Sequence, residues 1–511
     1  MGSKDAEVMK EGIIMKKLMT LALAAAMMLG AATGANAIDF KAKGQWIMSF
    51  DYGMHGNFGE SKAKNNSGFK NEDEFEARQR VRLQLDAVAS EALSGTVFFE
   101  IGDQVWGDND NGGALGADGK VVELKRAYID WMVPQTDLKV RMGIQGIALP
   151  SFTTNASQIM DDDVAAISLN YQFNENVGLT AFWARPYNDN GGYSSRWDTD
   201  YDKNYMDNMD MFAVLLPLTF DGVKVTPWVM YAAMGPGMFD NLKDDPGNAW
   251  GRASAGMVSG FTGTDPLDTY GNAFWAGVTG EVTYWDPFRI AWDVNYGSAS
   301  YADEKMNREG WLASLLLEYK LDWGTPGLYG WYSTGDDNNP KNGSERMPVV
   351  SANGNNGFSN FAFNGNPYIA REGILGSTMV GTWGIGARLK DVSFLEDLKH
   401  TLRVNFMGGT NAPKMAKYVS HNSFKDSASV TQYGTSYDPM YLTTDDYALE
   451  IGLTNTYKMY DNFTVMLDAA YVALWLDDST STWGKNPGRS ALGGDGVYDA
   501  WNVNLSFVYS F

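Results

Sequence analysis

The chain contains no cysteine. Disulfide bonds and thiolate metal sites are therefore excluded. Histidine is nearly as scarce, with only His55, His400 and His421, which leaves little for imidazole-based catalysis. Beyond residue 37 no run has the length and apolarity of a membrane helix. Basic residues are outnumbered, 40 Lys and Arg against 62 Asp and Glu. The net charge of -22 excludes a default hold on nucleic acid. Residues 1–37 carry four Lys and three Asp or Glu, so the remainder stands at -23.

The front of the chain reads as export machinery. Lys16 and Lys17 form a short positive head, an apolar run spans residues 18–29, and Ala35-Asn36-Ala37 is a small-x-small cleavage site. Residues 15–37 are thus expected to be a signal peptide and residues 38–511 a single exported domain. Residues 1–14 are charged and precede a better start at Met15, which fits a misassigned start or an added tail.

Aromatic residues make up 13% of the chain and glycines number 56, a composition with few helix signals. What recurs is long period-2 alternation. Residues 40–53, 74–90, 93–105, 121–133, 138–145, 164–173, 177–187, 209–220, 223–234, 272–285, 288–300, 310–323, 328–334, 378–392, 398–408, 446–460, 463–477 and 497–511 alternate apolar with polar. Short turns such as Asp221-Gly222 and Asp461-Asn462 alternate with long connections such as 235–271, 335–377 and 410–445. Trp131, Tyr284, Trp323, Tyr509 and Phe511 fall near short turns; Tyr52, Trp183, Trp292, Trp311 and Trp475 fall near long ones. Two aromatic belts, sorted connections and no membrane helix predict an all-β transmembrane antiparallel β-barrel. About 18 strands are expected, with 16 as the alternative. An even count puts both termini on the short-turn side, expected to be periplasmic, with the long loops external.

The final stretch carries the strongest alternation. Trp501, Val503, Leu505, Phe507, Tyr509 and Phe511 share one face; Asn502, Asn504, Ser506 and Ser510 share the other, with Val508 the exception. It resembles the closing strand of Gram-negative outer-membrane barrels. That resemblance implies that Phe507, Tyr509 and Phe511 form an assembly signal read by the barrel-assembly machinery.

Strand parity sorts side chains between lipid and lumen. Phe75, Ala77, Val81, Leu83 and Leu85 point out, so Arg78, Arg80 and Arg82 point in. A lipid-facing Arg or Lys at mid-depth costs about 2–4 kcal/mol. The same reading places Arg126, Tyr128, Asp130, Lys139 and Arg141 inside. Lys125 falls on the outward parity near a loop end. Residues 146–163 then form a moderately apolar connection, with Ile147, Leu149, Phe152 and Ile159, ending in Asp161-Asp162-Asp163. A loop standing in water has no need of that apolar content; a loop folded into a barrel does. This pattern resembles the trimeric porins, whose third external loop bends inward and faces carboxylates to a wall of arginines. The resemblance implies a basic wall of Arg78, Arg80, Arg82, Arg126, Lys139 and Arg141 opposite an acidic loop of Asp161, Asp162 and Asp163; a solvated loop end, or the start of the next strand, is the alternative for the aspartates. The strand over residues 46–53 and the chain length are similar to the homotrimeric porins of sulfate-reducing bacteria, which implies a homotrimer in outer-membrane lipid.

The function expected is passive diffusion of ions and small hydrophilic solutes through a water-filled channel of the Gram-negative outer membrane, without cofactor or catalysis and with a weak anion preference at the constriction. Three alternatives stay open: a plugged barrel serving adhesion or structure, an outer-membrane hydrolase, and a soluble exported β-protein. Asp108, Asp110 and Gly113 imitate the first half of a calcium loop, but Gly119 stands where a bidentate Glu is required.

Overall fold

The computed structural model describes residues 38–54, 58–59, 74–109, 112–116, 122–188, 208–235, 256–259, 270–352, 356–418, 440–492 and 496–511. The expected leader, His55, His421, Asp110 and Gly119 lie outside them. Alternating apolar and polar residues make strands β1 (Asp39–Met54), β2 (Glu74–Ser90), β3 (Leu93–Val105), β4 (Glu123–Met132), β5 (Lys139–Ala148), β6 (Met160–Gln172), β7 (Gly178–Asn188), β8 (Asn208–Leu215), β9 (Leu218–Phe220) and β10 (Val223–Met234). They continue with β11 (Gly271–Val282), β12 (Phe288–Ser300), β13 (Arg308–Tyr319), β14 (Thr325–Ser333), β15 (Ser351–Ala352), β16 (Thr382–Leu395), β17 (Leu398–Gly409), β18 (Tyr447–Tyr460), β19 (Phe463–Trp475) and β20 (Ala500–Ser510).

Neighbours pair antiparallel, and β1 pairs with β20 from Gln45↔Ser510 to Met54↔Trp501, which closes the sheet into a barrel. Closure leaves no open edge, as a sheet surrounded by lipid requires. β8 and β9 are two pieces of one wall strand, both paired with β10 and interrupted around Pro217, which has no N–H to give. β15 lies in a loop. Among the described residues, eighteen strands therefore make the wall.

The outer face is apolar and exposed, with Ile385 at 61% and Leu328 at 61%. At the short-turn end Trp131, Tyr284, Trp323, Tyr509 and Phe511 are exposed; at the other end Tyr52, Trp311 and Trp475 are. Phe511 rests on Trp46 with ring centroids 5.3 Å apart, and its N–H donates to Gly44 O at 3.1 Å. Inside, large side chains lie over glycines of the neighbouring strand. A Cβ on Gly384 would sit 2.3 Å from the Trp331 ring across the β14–β16 pair, so only glycine fits there.

Two sequence expectations change. β6 begins at Met160, not at 164, so Asp161–Asp163 belong to the strand and not to the loop. The connection 335–377, grouped above with the external loops, keeps residues 337–339 exposed but packs residues 356–364 and 373–377 inside the barrel. Phe358, Phe361, Phe363, Ile374 and Leu375 join one buried cluster with the inward wall residues Trp275, Leu316, Tyr329 and Trp331. Val508, the exception on the polar face of β20, packs there with Ile47 and the loop residue Ile369.

Candidate functional site

The β5–β6 hairpin leaves the wall. Its strands pair with each other up to Ala148↔Asp161. On one side the last partner is Ala127↔Ile144, and on the other it is Ala165↔Arg185. Above those points the hairpin is a two-stranded tongue without a wall neighbour. It leaves at Gly143, whose φ of +128° suits glycine alone; a Cβ there would sit 2.2 Å from Ala127 O. β15 adds itself in parallel to the tongue, and Ser351 Oγ donates to Asp162 Oδ2 at 2.7 Å.

The tongue carries residues 149–159 across the lumen to β12. Asp293 accepts from Ser151 Oγ at 2.7 Å, Phe152 N at 2.9 Å and Thr153 N at 3.1 Å. Arg289 Nη2 donates to Phe152 O at 2.8 Å. Leu149 and Ile159 are buried. The third long connection thus folds inward, and its apolar residues are the reason.

The basic residues expected from strand parity line one sector of the lumen, but their carboxylate partners come mostly from the wall itself. Arg78 pairs with Glu76 at 2.5 Å and Asp51 at 3.3 Å. Arg80 makes two bonds to Asp103, at 2.6 and 2.8 Å. Arg82 meets Glu100 at 2.6 Å. Arg141 makes two bonds to Asp130, at 2.6 and 2.8 Å, and Lys139 joins it at 3.1 Å. Of the three aspartates, Asp163 meets the basic wall. It sits between Arg126 at 2.5 Å and Lys125 at 3.0 Å. Asp162 bonds Ser351 instead, and Asp161 forms no ion pair among the described residues. Lys125 was expected outside. A bulge between Phe98 and Phe99 inserts one extra residue in β4, so Lys125 and Arg126 both reach Asp163. Lys125 also lies 3.7 Å from Glu100. An alternating chain Arg82–Glu100–Lys125–Asp163–Arg126 therefore ties the tongue to the wall.

The second inward segment straddles the β1–β20 seam. Glu450 Oε1 accepts from Asn360 N at 2.9 Å, Phe361 N at 2.7 Å and Ala362 N at 3.1 Å. Asn366 Nδ2 donates to Asp468 Oδ2 at 2.7 Å. Asn504 Nδ2 donates to Ile369 O at 3.1 Å, and Arg371 N donates to Asp51 at 3.2 Å. Glu372 is partly buried in this segment, accepting from Gly365 N at 2.7 Å and from Asn366 N. Burial pushes its carboxyl well above the usual range, and the nearby Asp468 and Asp51 push the same way, against its two backbone bonds.

Beneath both segments runs a second charged row that sequence reasoning missed. Lys224–Glu281 at 2.9 Å, Glu281–Arg289 at 2.8 Å, Arg289–Glu318 at 2.8 Å and Glu318–Arg388 at 2.7 Å cross from β10 to β16. Arg388 and Arg403 both donate to Gly357 O, at 3.0 and 3.2 Å. Inward parity was the readable signal for these residues.

Exposure varies along both rows. Under the loops the side chains of Arg388 and Glu318 are 7% and 5% exposed. On the other sector Arg78 is 9% exposed, whereas Arg126 and Lys139 keep 38% and 41%. Water therefore reaches the wall around Arg126 and Lys139, while the loops cover Arg388 and Glu318.

No protein-family model and no curated protein sequence matches the chain. Solved structures with similar folds include three from Pseudomonas aeruginosa. OpdQ is 10% identical, covering 93% of this chain and 99% of its own, with a TM-score of 0.49. OpdK with vanillate is 10% identical, over 92% and 98%, at 0.47. OprD is 11% identical, over 92% and 95%, at 0.47. The strand pairing, not these likenesses, carries the assignment of the fold.

Proposed function

We propose that the protein is an outer-membrane porin, a channel for passive diffusion of ions and small hydrophilic solutes. The path follows the β2–β5 wall and narrows where the tongue approaches it. The observation that carries this reading is the pair of basic side chains Arg126 and Lys139, 38% and 41% exposed, on a wall joined to an inward hairpin through Asp163 and beside packed loops. A wall built only for stability would not keep charged side chains wet on one sector.

Arg78, Arg80, Arg82, Arg126, Lys139 and Arg141 form the basic side of the constriction in this reading, and Asp163 is the acidic contribution of the tongue. Asp161 and Asp162 stand beside it. Because wall carboxylates offset most of the arginines, anion preference is weak. The short turns face the periplasm and the long loops face outward. Residues 15–37 direct export, and Phe507, Tyr509 and Phe511 serve barrel assembly. The likeness of residues 46–53 to porins of sulfate-reducing bacteria supports a homotrimer.

A second reading, a plugged barrel with a structural or adhesive role, is favoured by the buried loop cluster around Phe358 and Phe363. Planar-bilayer recording of the purified protein separates the two. Stable ohmic steps, in threes for a trimer, support the channel. Silence from folded, heat-modifiable protein defeats it and leaves the plug.

A further inference from the structure

The carboxylates along the two charged rows each have a cation beside them. Asp293 does not, among the described residues, although it is only 3% exposed; Glu450, at 0%, makes no ion pair but has Arg403 beside it, bonded to Asn360 and Thr454. Each is held by neutral donors, and the inward loops supply most of them. For Asp293 the loop gives Ser151 Oγ, Phe152 N, Thr153 N and Thr153 Oγ1, and the wall adds Thr279 Oγ1. For Glu450 the loop gives Ser359 Oγ at 3.1 Å and three successive backbone amides, and the wall adds Asn405 Nδ2 at 2.8 Å. Asp468 repeats the pattern, held by Asn360 and Asn366 of the same loop.

We infer that Asp293 is a masked selectivity charge, covered while residues 149–159 are docked and exposed to the lumen when they undock. The inference rests on the channel reading above. A buried carboxylate without a cation is tolerated only while hydrogen bonds to its charged form persist. Here those bonds leave with the loop. The inward side chains paired with Asp293 on the neighbouring strands are the neutral Thr279 and Ser314, so neither neutralises what is uncovered. The docked channel conducts along the arginine row. An undocked one is both wider and lined by an unpaired carboxylate at Asp293, so it favours cations. Loop position and ion preference are thereby one variable.

The absence of cysteine makes the test clean. Thr153 Oγ1 and Ser314 Oγ lie 2.6 Å apart, close enough for a disulfide between cysteines at these positions. Three full-length proteins are recorded in planar bilayers under a KCl gradient: wild type, Ser151→Ala/Thr153→Val, and Thr153→Cys/Ser314→Cys. The Ala/Val variant loses loop donors but keeps Asp293. It is expected to show a second, larger conductance level whose reversal potential lies toward cations. The oxidised cysteine pair is expected to lack that level and to gain it on reduction. A silent wild type beside a conducting Ala/Val variant supports the inference while defeating the open-channel reading. A single level with wild-type conductance and reversal in the Ala/Val variant overturns the inference and leaves the channel reading standing, as does a larger level that persists in the oxidised pair. Silence from all three folded proteins overturns both.

Discussion

Asp163→Asn tests the proposed constriction most directly. The side chain is 12% exposed and lies between two cations, at 2.5 Å from Arg126 and 3.0 Å from Lys125. The amide keeps the shape and removes one negative charge, leaving Lys125 with Glu100 at 3.7 Å and Arg126 without a carboxylate. For an ion passing at about 10 Å, one unit charge at an effective dielectric near 20 is worth roughly 1.7 kcal/mol. Screening in ~0.1 M salt leaves about a third of that, near 0.6 kcal/mol. An anion gains this amount and a cation loses it, so the anion-to-cation permeability ratio rises roughly eightfold. The assay is reversal potential across a tenfold KCl gradient, with Asp163→Glu as the charge-conserving control. The shift shrinks at ~1 M salt, where the screening length falls to about 3 Å. An unchanged ratio in heat-modifiable Asp163→Asn protein, or a shift toward cations, refutes the placement of Asp163 in the ion path.

Arg80→Ala leaves Asp103 without its two-bond partner and is expected to move the reversal potential toward cations. Gly143→Ala puts a Cβ against Ala127 O at φ +128°; a strain on the order of 1–3 kcal/mol is expected to loosen the tongue, read as lower heat-modifiable yield or higher conductance. Glu372 has its carboxyl raised by burial, so the folded loop holds the proton after the unfolded chain has released it. Docking of residues 356–372 therefore weakens as pH rises above 4.5. Glu372→Gln is expected to remove that dependence, measured as protease protection of the loop at pH 5 and pH 8. Phe511→Ala removes the ring from Trp46, a loss of about 1 kcal/mol, and is expected to slow the appearance of the heat-modifiable form during assembly into lipid.

The wall was legible in the sequence because lipid enforces it. Each outward position must be apolar, so parity placed Arg78, Arg80, Arg82, Arg126, Lys139 and Arg141 inside before any coordinates. Parity failed where that constraint lapses. Asp161–Asp163 interrupt the alternation because the tongue has left the wall and neither of its faces meets lipid. Lys125 was misplaced because one bulge residue shifts parity by one. The inward path of residues 356–381 was missed although Phe358, Phe361, Phe363 and Ile369 carry the same apolar signal that identified residues 149–159. Ile47 and Val508, apolar on a polar face, marked where it docks. The partner carboxylates were not legible because a strand pattern shows which face a side chain takes but not its lateral partner: Asp51, Glu100 and Asp103 lie one strand over from their arginines, and Glu76 lies two residues along the same strand as Arg78.

The seam between β1 and β20 has a consequence for the order of construction. Ile369 O is held by Asn504 of β20, while Ser49 and Asp51 of β1 receive the same stretch of loop. Those two strands are the most distant in the chain and become neighbours only in the finished ring. The berth for residues 369–371 therefore does not exist in any half-built wall. Seating of this stretch is the last fitting installed, and a ring that fails to close has nowhere to hold it.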